Sequence, residues 1–387
     1  MIKQEHFCRN CIVPDGFLGL SLNEEGLCNF CRNPNHKNVN WSKVQISNQK
    51  KEQMQEDWKK VIEDLKKKEI KGNYHCVLGY SGGKDSTALL DYLVNDLGLD
   101  VLAVTVNTGF MTDIAKQNII DTITKMNIEE HHLFIEDVSK TFTRLYRWLF
   151  FNHHSNTISL TVDVCDQCSD LIHSIVVKHA LNRKIPYVFF GYSPDQIKRY
   201  FYEIPQSEAL NEWKPIFTDL APFTKKDRAN YIDKIHISIS DMPRILLPYH
   251  VMRYDEKEII EIVEKKGFIQ KGKADPILTN CHVVKAAAIY DLYRYGGLTY
   301  ALQYAELVRQ APDEKTRKFH RKKLLRLYRG IVHSIYKGQF NVEGINDFLK
   351  TIGSSMEEIM DIIIQFRDLD PNKNKILQNI SLLNSKI

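Results

Sequence analysis

Long apolar runs are missing from this 387-residue sequence. No segment reaches the roughly 18 uninterrupted apolar residues of a membrane-spanning helix, so no membrane span is expected. Glycine and proline are scarce, at 18 and 12 residues, which excludes a collagen-like or linker-dominated architecture. An excess of one charge sign is lacking too. The 53 Lys and Arg against 48 Asp and Glu leave +5, which permits an anionic partner without demanding one. The opening stretch, MIKQEHFCRNC, has no apolar core of the secretory-signal kind, so a cytoplasmic location is expected. Internal repeats and low-complexity blocks are absent as well.

What is present has enough length for two or three domains at roughly 100–200 residues each, and 43% apolar residues to build their cores. It also includes eight cysteines. In a large chain without a leader, four of them in two C-x2-C pairs favour metal or cofactor ligation over disulfides.

The chain divides into four expected regions. Residues 1–40 read as loops around Cys8, Cys11, Cys28 and Cys31. Residues 41–73 hold a charged linker helix, Lys50 to Lys71, with Trp58, Val61, Ile62 and Leu65 at helical spacing. From residue 74 to 290 short apolar strands alternate with helices: Cys76–Gly79, Val101–Asn107, His132–Ile135 and Tyr187–Phe190 are the strands, with helices over Thr87–Asn95 and Ile114–Met126. Such continuous apolar strands predict an α/β fold, a doubly wound parallel sheet covered on both faces. Ligands of these sheets bind outside the carboxyl ends of the strands. Residues 291–387 read as a helical region, with amphipathic stretches at Phe319–Tyr336 and Met356–Phe366.

The sharpest motif is Gly79-Tyr-Ser-Gly-Gly-Lys-Asp-Ser86, between the first strand and its helix. Two adjacent glycines let the backbone approach a ligand and aim consecutive amides at an anion. The helix N-terminus behind them adds its dipole and unpaired N–H groups. Ser81 and Ser86 add hydroxyls, Lys84 adds positive charge, and Asp85 can hold Mg2+ or a positioned water. The spacing is not that of a Walker A loop. For the two glycines and a serine alone, a helix-capping turn would be the ordinary explanation.

The SGGKDS stretch after an apolar strand resembles the signature of the PP-loop, or N-type, ATP pyrophosphatases. The resemblance implies that Ser81, Gly82, Gly83, Lys84, Asp85 and Ser86 bind the phosphates of ATP and a metal ion. A substrate oxygen would then attack the α-phosphorus, pyrophosphate would leave, and a nitrogen or sulfur nucleophile would displace the adenylate. Stabilising a leaving pyrophosphate calls for preorganised donors and a cation, in agreement with the residues present. The same resemblance implies adenine at the end of the second strand, Val106 and Asn107, chiefly through backbone groups.

Cys8-x2-Cys11 with Cys28-x2-Cys31 matches a tetrahedral zinc ribbon, and Gly26 suits the second knuckle. A closed four-thiolate site implies scaffolding. This segment resembles the ribbon preceding the PP-loop in N-acetyl sugar amidotransferases of surface-polysaccharide pathways.

Cys165-Asp-Gln-Cys168 begins a predicted helix, and Cys281 follows Asp275-Pro-Ile-Leu-Thr-Asn280 just before another. A C-x2-C at a helix start plus one distant cysteine resembles the iron–sulfur-dependent tRNA thiolation branch of the PP-loop family. In that branch three cysteines hold a [4Fe–4S] cluster and leave one iron open for the sulfur to be transferred. The segment Leu247-Pro-Tyr-His-Val-Met-Arg-Tyr-Asp-Glu-Lys-Glu-Ile259 resembles the branch's proline-then-helix element. A redox dithiol at Cys165 and Cys168, a second zinc with His282, and a merely buried Cys281 stand beside that reading. The branch usually shows G-H-x-x-D-D after the fourth strand, whereas this chain reads Gly191-Tyr-Ser-Pro-Asp195-Gln196. The histidine is absent, and a phosphate–metal or substrate-orienting role falls to Asp195 alone. Cys76 is left as a buried strand residue.

The resulting expectation is an ATP-dependent sulfurtransferase with ATP, Mg2+, Zn2+ and a [4Fe–4S] cluster, served by a sulfur donor. The alternative is an amidotransferase fed with ammonia by a partner glutaminase and acting on an N-acetyl sugar. A nucleotide-binding adaptor without turnover is the third reading. Lys315, Arg317, Lys318, Arg321, Lys322, Lys323, Arg326 and Arg329 form a basic run that could contact RNA phosphates, although solvated amphipathic helices carry such runs too. A homodimer is the oligomeric state considered.

Overall fold

Continuous apolar stretches become the strands of a sheet, and the polar, capped stretches between them become its helices. The computed structural model describes residues 6–32, 48–67, 74–194, 196, 202–215, 223–232, 236–274, 281–309, 311 and 313–385. In chain order the helices are α1 (Asn29–Arg32), α2 (Asn48–Lys67), α3 (Lys84–Asp91), α4 (Asp113–Met126), α5 (Ser139–Asn152), α6 (Leu160–Arg183), α7 (Gln206–Glu212) and α8 (Lys225–Arg228). They continue with α9 (Glu256–Lys265), α10 (His282–Tyr295), α11 (Tyr300–Arg309), α12 (Glu314–Tyr336), α13 (Val342–Thr351), α14 (Met356–Asp368) and α15 (Lys373–Ser385). None among the described residues is long and apolar enough to cross a membrane.

The chain forms two compact units, each assembled from segments distant in sequence. The sheet unit comprises Lys43–Leu145 and Gln167–Cys281; the ribbon-and-helix unit comprises Met1–Ser42, Tyr146–Asp166 and His282–Ile387.

In the sheet unit the strands are β1 (Cys76–Gly79), β2 (Val101–Val106), β3 (His132–Ile135), β4 (Tyr187–Phe190), β5 (Glu203–Ile204) and β6 (Arg244–Leu246). Their order is β3-β2-β1-β4-β6-β5, and every pairing is parallel except β5 with β6. All six residues of β2 are buried, as both-face coverage by helices requires. The expected doubly wound parallel sheet is therefore present. Its order reverses between β1 and β4, so the switch point lies where the loops after these two strands leave the sheet.

Helix boundaries follow local chemistry. Thr112 Oγ1 accepts from Ala115 N at 3.2 Å to start α4, and Asn127 ends it in the left-handed region. Asp255 accepts from the amides of Lys257 and Glu258 to start α9. The helix expected over Lys50–Lys71 is α2 as far as Lys67, residues 68–71 lying outside the described ones, and its Met54, Trp58, Val61 and Leu65 enter the main core of the sheet unit, where Trp58 packs edge-on against Phe189 and Tyr202.

Two features lie beyond what the sequence marks. Strands β5 and β6 add to a sheet expected to hold at least four; β6 is only Arg244-Ile-Leu246, between Pro243 and Pro248, too short to show a period. The second is the start of α6, which precedes Cys165 by five residues. Leu160 N and Thr161 N donate to the two carboxylate oxygens of Asp291 at 2.8 and 3.2 Å, and Val162 N donates to Ser159 Oγ. A cap supplied from α10, 131 positions away, leaves no local signal.

In the ribbon-and-helix unit, Phe7 packs with Ala288, Leu292, Leu298, Tyr328 and Val332 from α10, the following turn and α12.

Candidate functional site

The loop Tyr80–Gly83 follows β1 directly and feeds α3, whose first residue is Lys84. Gly82 has φ +72°, and a Cβ there would meet Ile119 Cγ1 at 2.5 Å and the Ala115 carbonyl at 3.0 Å. The fold itself demands that glycine. Gly83 differs: its φ is −79°, and among the described residues an added Cβ would meet only Ser81 Oγ, at 3.4 Å. Packing of the described residues leaves room for a side chain at the helix N-terminus, and this one has none. The loop hydroxyls are already organised. Ser81 Oγ lies 3.1 Å from Ser86 Oγ, Ser86 Oγ donates to the Gly83 carbonyl at 3.1 Å, and Gly83 N donates to Ser81 Oγ at 3.4 Å.

The two charged residues of the loop are gripped from the segment before and at the start of α9. Lys84, only 6% exposed, has its ammonium 2.7 Å from Asp85 Oδ2 and 3.3 Å from Glu256 Oε1. Tyr254 Oη donates to Asp85 Oδ1 at 3.1 Å, and Tyr249 Oη donates to the Asp85 carbonyl at 2.8 Å. Burial, then the Asp85 charge, raises both phenols well above their ordinary range, so each stays a donor. Asp85 and Glu256 are an oxygen donor set of the kind Mg2+ takes. The tyrosines and glutamate of the 247–259 segment thus meet the loop, which their sequence does not announce: the acidic run Asp255–Glu258 has the pattern of ordinary helix-start chemistry.

The loop after β4 closes the other side of the switch point. A Cβ on Gly191 would fall 2.9 Å from Ser86 Cα, so the backbones of the two loops touch. Gln196, which stands where an acid was expected, accepts from Ser193 N at 2.9 Å and closes the turn. Asp195 lies outside the described residues. Tyr192, in place of the expected histidine, is joined to a different one: His173 Nε2 of α6 lies 2.8 Å from Tyr192 Oη. His173 is buried among Phe190, Tyr192 and Trp213, and that burial pushes its pKa down to about 3. Nothing in the local sequence signals the pair, because its members come from a helix and a loop 19 residues apart. Past β2, Asn107 N donates to the Ile135 carbonyl, and Asn107 Oδ1 accepts from Gly109 N at 2.9 Å.

The four N-terminal cysteines gather as expected. Their sulfur atoms all lie within 4.8 Å of one another, and Cys11 Sγ is 3.7 Å from Cys28 Sγ. A tetrahedron with metal–sulfur bonds of about 2.3 Å has edges of about 3.8 Å, so the donor set fits Zn2+. Two arginines attend the site. Arg321 of α12 donates to the carbonyls of Cys8 and Cys11, at 2.7 Å to the latter. Arg309 stacks its guanidinium 5.0 Å from the Phe30 ring centroid and keeps a buried Nη1 with no hydrogen-bond partner among the described residues. Burial lowers the Arg309 pKa, but the charges of Cys11, Glu306 and Cys31 outweigh it and hold the group above its ordinary value.

Part of the basic run on α12 is thus engaged within its own unit: Arg321 by the knuckle carbonyls, Arg329 over the Phe7 ring at 5.5 Å, Lys318 by Glu314. Lys315, Lys322, Lys323 and Arg326 are exposed. Cys165, exposed, and Cys168, half-buried, are three residues apart on α6; Cys281, half-buried, immediately precedes α10.

An α/β protein with an organised glycine loop at the switch point of a doubly wound sheet, and a separate four-thiol centre, is the class these features define. No family model matches the chain. An uncharacterized protein of Methanocaldococcus jannaschii is 26% identical over 185 residues, 46% of this chain; the chain spans 57% of the length of that curated relative. Three solved structures show distant likeness. They are the U34-tRNA thiolase NcsA of Methanococcus maripaludis with its [4Fe–4S] cluster (16% identity, 85% of this chain and 89% of that one, TM-score 0.35), the NH3-dependent NAD synthetase of Campylobacter jejuni (15%, 71% and 94%, 0.33), and the NMN synthetase of Francisella tularensis (12%, 72% and 94%, 0.30).

Proposed function

We propose that the chain is an ATP-dependent PP-loop enzyme that adenylates a substrate oxygen and then transfers sulfur to the activated carbon. The observation that carries the nucleotide half is Gly83, a glycine that packing of the described residues does not require, at the N-terminus of α3 on the switch-point loop. Room left at that position suits the close approach of a phosphate to the amides of Gly82 and Gly83, with the helix dipole behind them. Ser81 and Ser86 supply hydroxyls, and Lys84 supplies an ammonium. Asp85 and Glu256 would hold Mg2+, which lends positive charge to the leaving pyrophosphate when bound. Backbone groups at Val106 and Asn107 would receive adenine, and Asp195 would orient substrate or metal.

In the reaction a substrate carbonyl or amide oxygen attacks the α-phosphorus and the bond to the β-phosphate oxygen breaks, releasing pyrophosphate. A sulfur nucleophile then adds to the activated carbon and AMP leaves with the oxygen. Holding adenylate and sulfur together makes a dilute encounter local and limits hydrolysis. Cys165, Cys168 and Cys281 would hold a [4Fe–4S] cluster, which would supply a binding site for the sulfur to be delivered. Support for that assignment is the C-x2-C pair and the lone cysteine, together with the resemblance they carry. Cys8, Cys11, Cys28 and Cys31 would hold Zn2+ as a scaffold. The exposed lysines and Arg326 of α12 would contact RNA if the acceptor is a nucleic acid, and the chain is placed in the cytoplasm.

A second reading, ammonia-dependent amidation of an N-acetyl sugar, is favoured by the four-thiol ribbon alone. Anaerobic purification and reconstitution separates the two. Thiolation predicts about four iron and four acid-labile sulfide per chain beyond one zinc, with AMP and pyrophosphate released when sulfide is supplied. Zinc without iron, and turnover with ammonia, supports amidation. A Cys165→Ala protein that still holds a cluster and thiolates normally would remove the cluster assignment.

A further inference from the structure

We propose that Glu256 determines the form of ligand the Ser81–Ser86 loop accepts, making it a site for a divalent-metal complex of a polyphosphate and not for the bare polyanion. The inference rests on the nucleotide reading of that loop.

Charge around Lys84 carries the argument. The ammonium is buried, 6% exposed, and is shared by two carboxylates at 2.7 and 3.3 Å. One positive and two negative groups leave the cluster formally negative, against which the α3 N-terminus offers only about half a positive charge. A metal-free polyphosphate entering the loop would take Lys84 away from its partners and face two carboxylates with their compensation gone. A metal complex brings its own positive charge, to which those same oxygens are suited as ligands or as neighbours.

The two carboxylates are not equivalent. Asp85 is fixed: Tyr254 holds its side chain and Tyr249 its carbonyl. Glu256 stands at the first position of α9 with its side chain 59% exposed, touching the loop at one point. It is the group whose removal changes the charge of the cluster without disturbing its architecture. Because α3 and α9 also meet through buried Leu89, Leu90 and Ile259 in one core, and through the ion pair of Asp91 with Lys266 just past α9, loss of Glu256 leaves their contact in place.

The test is calorimetric titration of inorganic pyrophosphate into the full chain, in metal-stripped buffer and in millimolar Mg2+, with no turnover involved. The unmodified protein is expected to bind at least tenfold more tightly with Mg2+. Glu256→Gln is expected to close most of that gap by tightening metal-free binding. Glu258→Gln is the control: it removes the same charge from the same helical turn, but its partner is Arg253 at 3.2 Å, so the wild-type ratio is expected to persist. An unchanged ratio in Glu256→Gln, or an equal change in both variants, overturns the role of Glu256 while leaving a polyphosphate site intact. Absence of pyrophosphate binding by the unmodified chain in both buffers overturns the nucleotide reading and this inference with it.

Discussion

At the scale of single residues, Gly82 and Gly83 are adjacent in sequence and differ in physical cause. Gly82→Ala puts a Cβ 2.5 Å from Ile119 at φ +72°, and should cost at least about 2 kcal/mol of stability. Gly83→Ala should change stability by less than about 1 kcal/mol, because the backbone there suits any residue and the space is open. It should nevertheless weaken magnesium pyrophosphate binding about tenfold or more. Denaturant melts paired with the pyrophosphate titration separate the two effects; equal stability losses would refute the distinction. His173 offers a second residue-level test. Burial sets its folded pKa at about 3 against an ordinary 6.5, so the unfolded chain binds the extra proton between those values. Stability is therefore full above pH 6.5 and falls by about 1.4 kcal/mol for each pH unit below it. Between pH 7 and 5 about 2 kcal/mol of the loss should vanish in His173→Gln. Urea melts at the two pH values measure it.

At the scale of elements, α6 shows what a sequence can and cannot declare. Strands β1, β3 and β4 were legible to the residue because each is a short apolar block bounded by polar turns. The first turn of α6 was not, since its cap is the carboxylate of Asp291 on α10, with Thr299 Oγ1 as a further donor to it. Asp291→Ala would strand Leu160 N and Thr161 N inside the core, while the Thr299 hydroxyl keeps Ser159 Oγ, at an expected cost of about 3 kcal/mol. Hydrogen exchange at 160–162 should rise before that of the rest of α6; uniform protection would refute the cap. The offset bears on chemistry as well. Cys165 and Cys168 sit more than a turn inside the helix, where the N-terminal dipole argument for a reactive dithiol loses force. The loop motif was read from Ser81 to Ser86, whereas its clamp was not: Tyr249, Tyr254 and Glu256 are brought to it by packing of α9 on α3 and by no sequence proximity.

At the scale of the whole molecule, the four-thiol centre belongs to a unit built from three separated stretches of chain. Stripping its metal with a strong chelator under reducing conditions should release one zinc per chain. It should raise hydrogen exchange across 6–32 and 313–336 while the core around β1, β2 and β4 keeps its protection. Arg321→Met, which removes the donors to the Cys8 and Cys11 carbonyls, should weaken zinc about tenfold, read by competition with a chromogenic chelator. Unchanged affinity would show that the arginine merely fills space.

The contact between Arg321 and Cys8 spans 313 positions of the chain. A ribosome adding about 5–20 residues per second needs roughly 15–60 s to cover that interval. For most of it the thiols of Cys8, Cys11, Cys28 and Cys31 have left the ribosome while the side chain that secures their carbonyls has yet to be made. An early-bound cation would act as a placeholder, keeping the knuckles shaped and the sulfurs protected from oxidation until their helical partner arrives. In a translation mixture without added reductant, newborn chain starved of zinc should accordingly accumulate N-terminal disulfides before synthesis is finished.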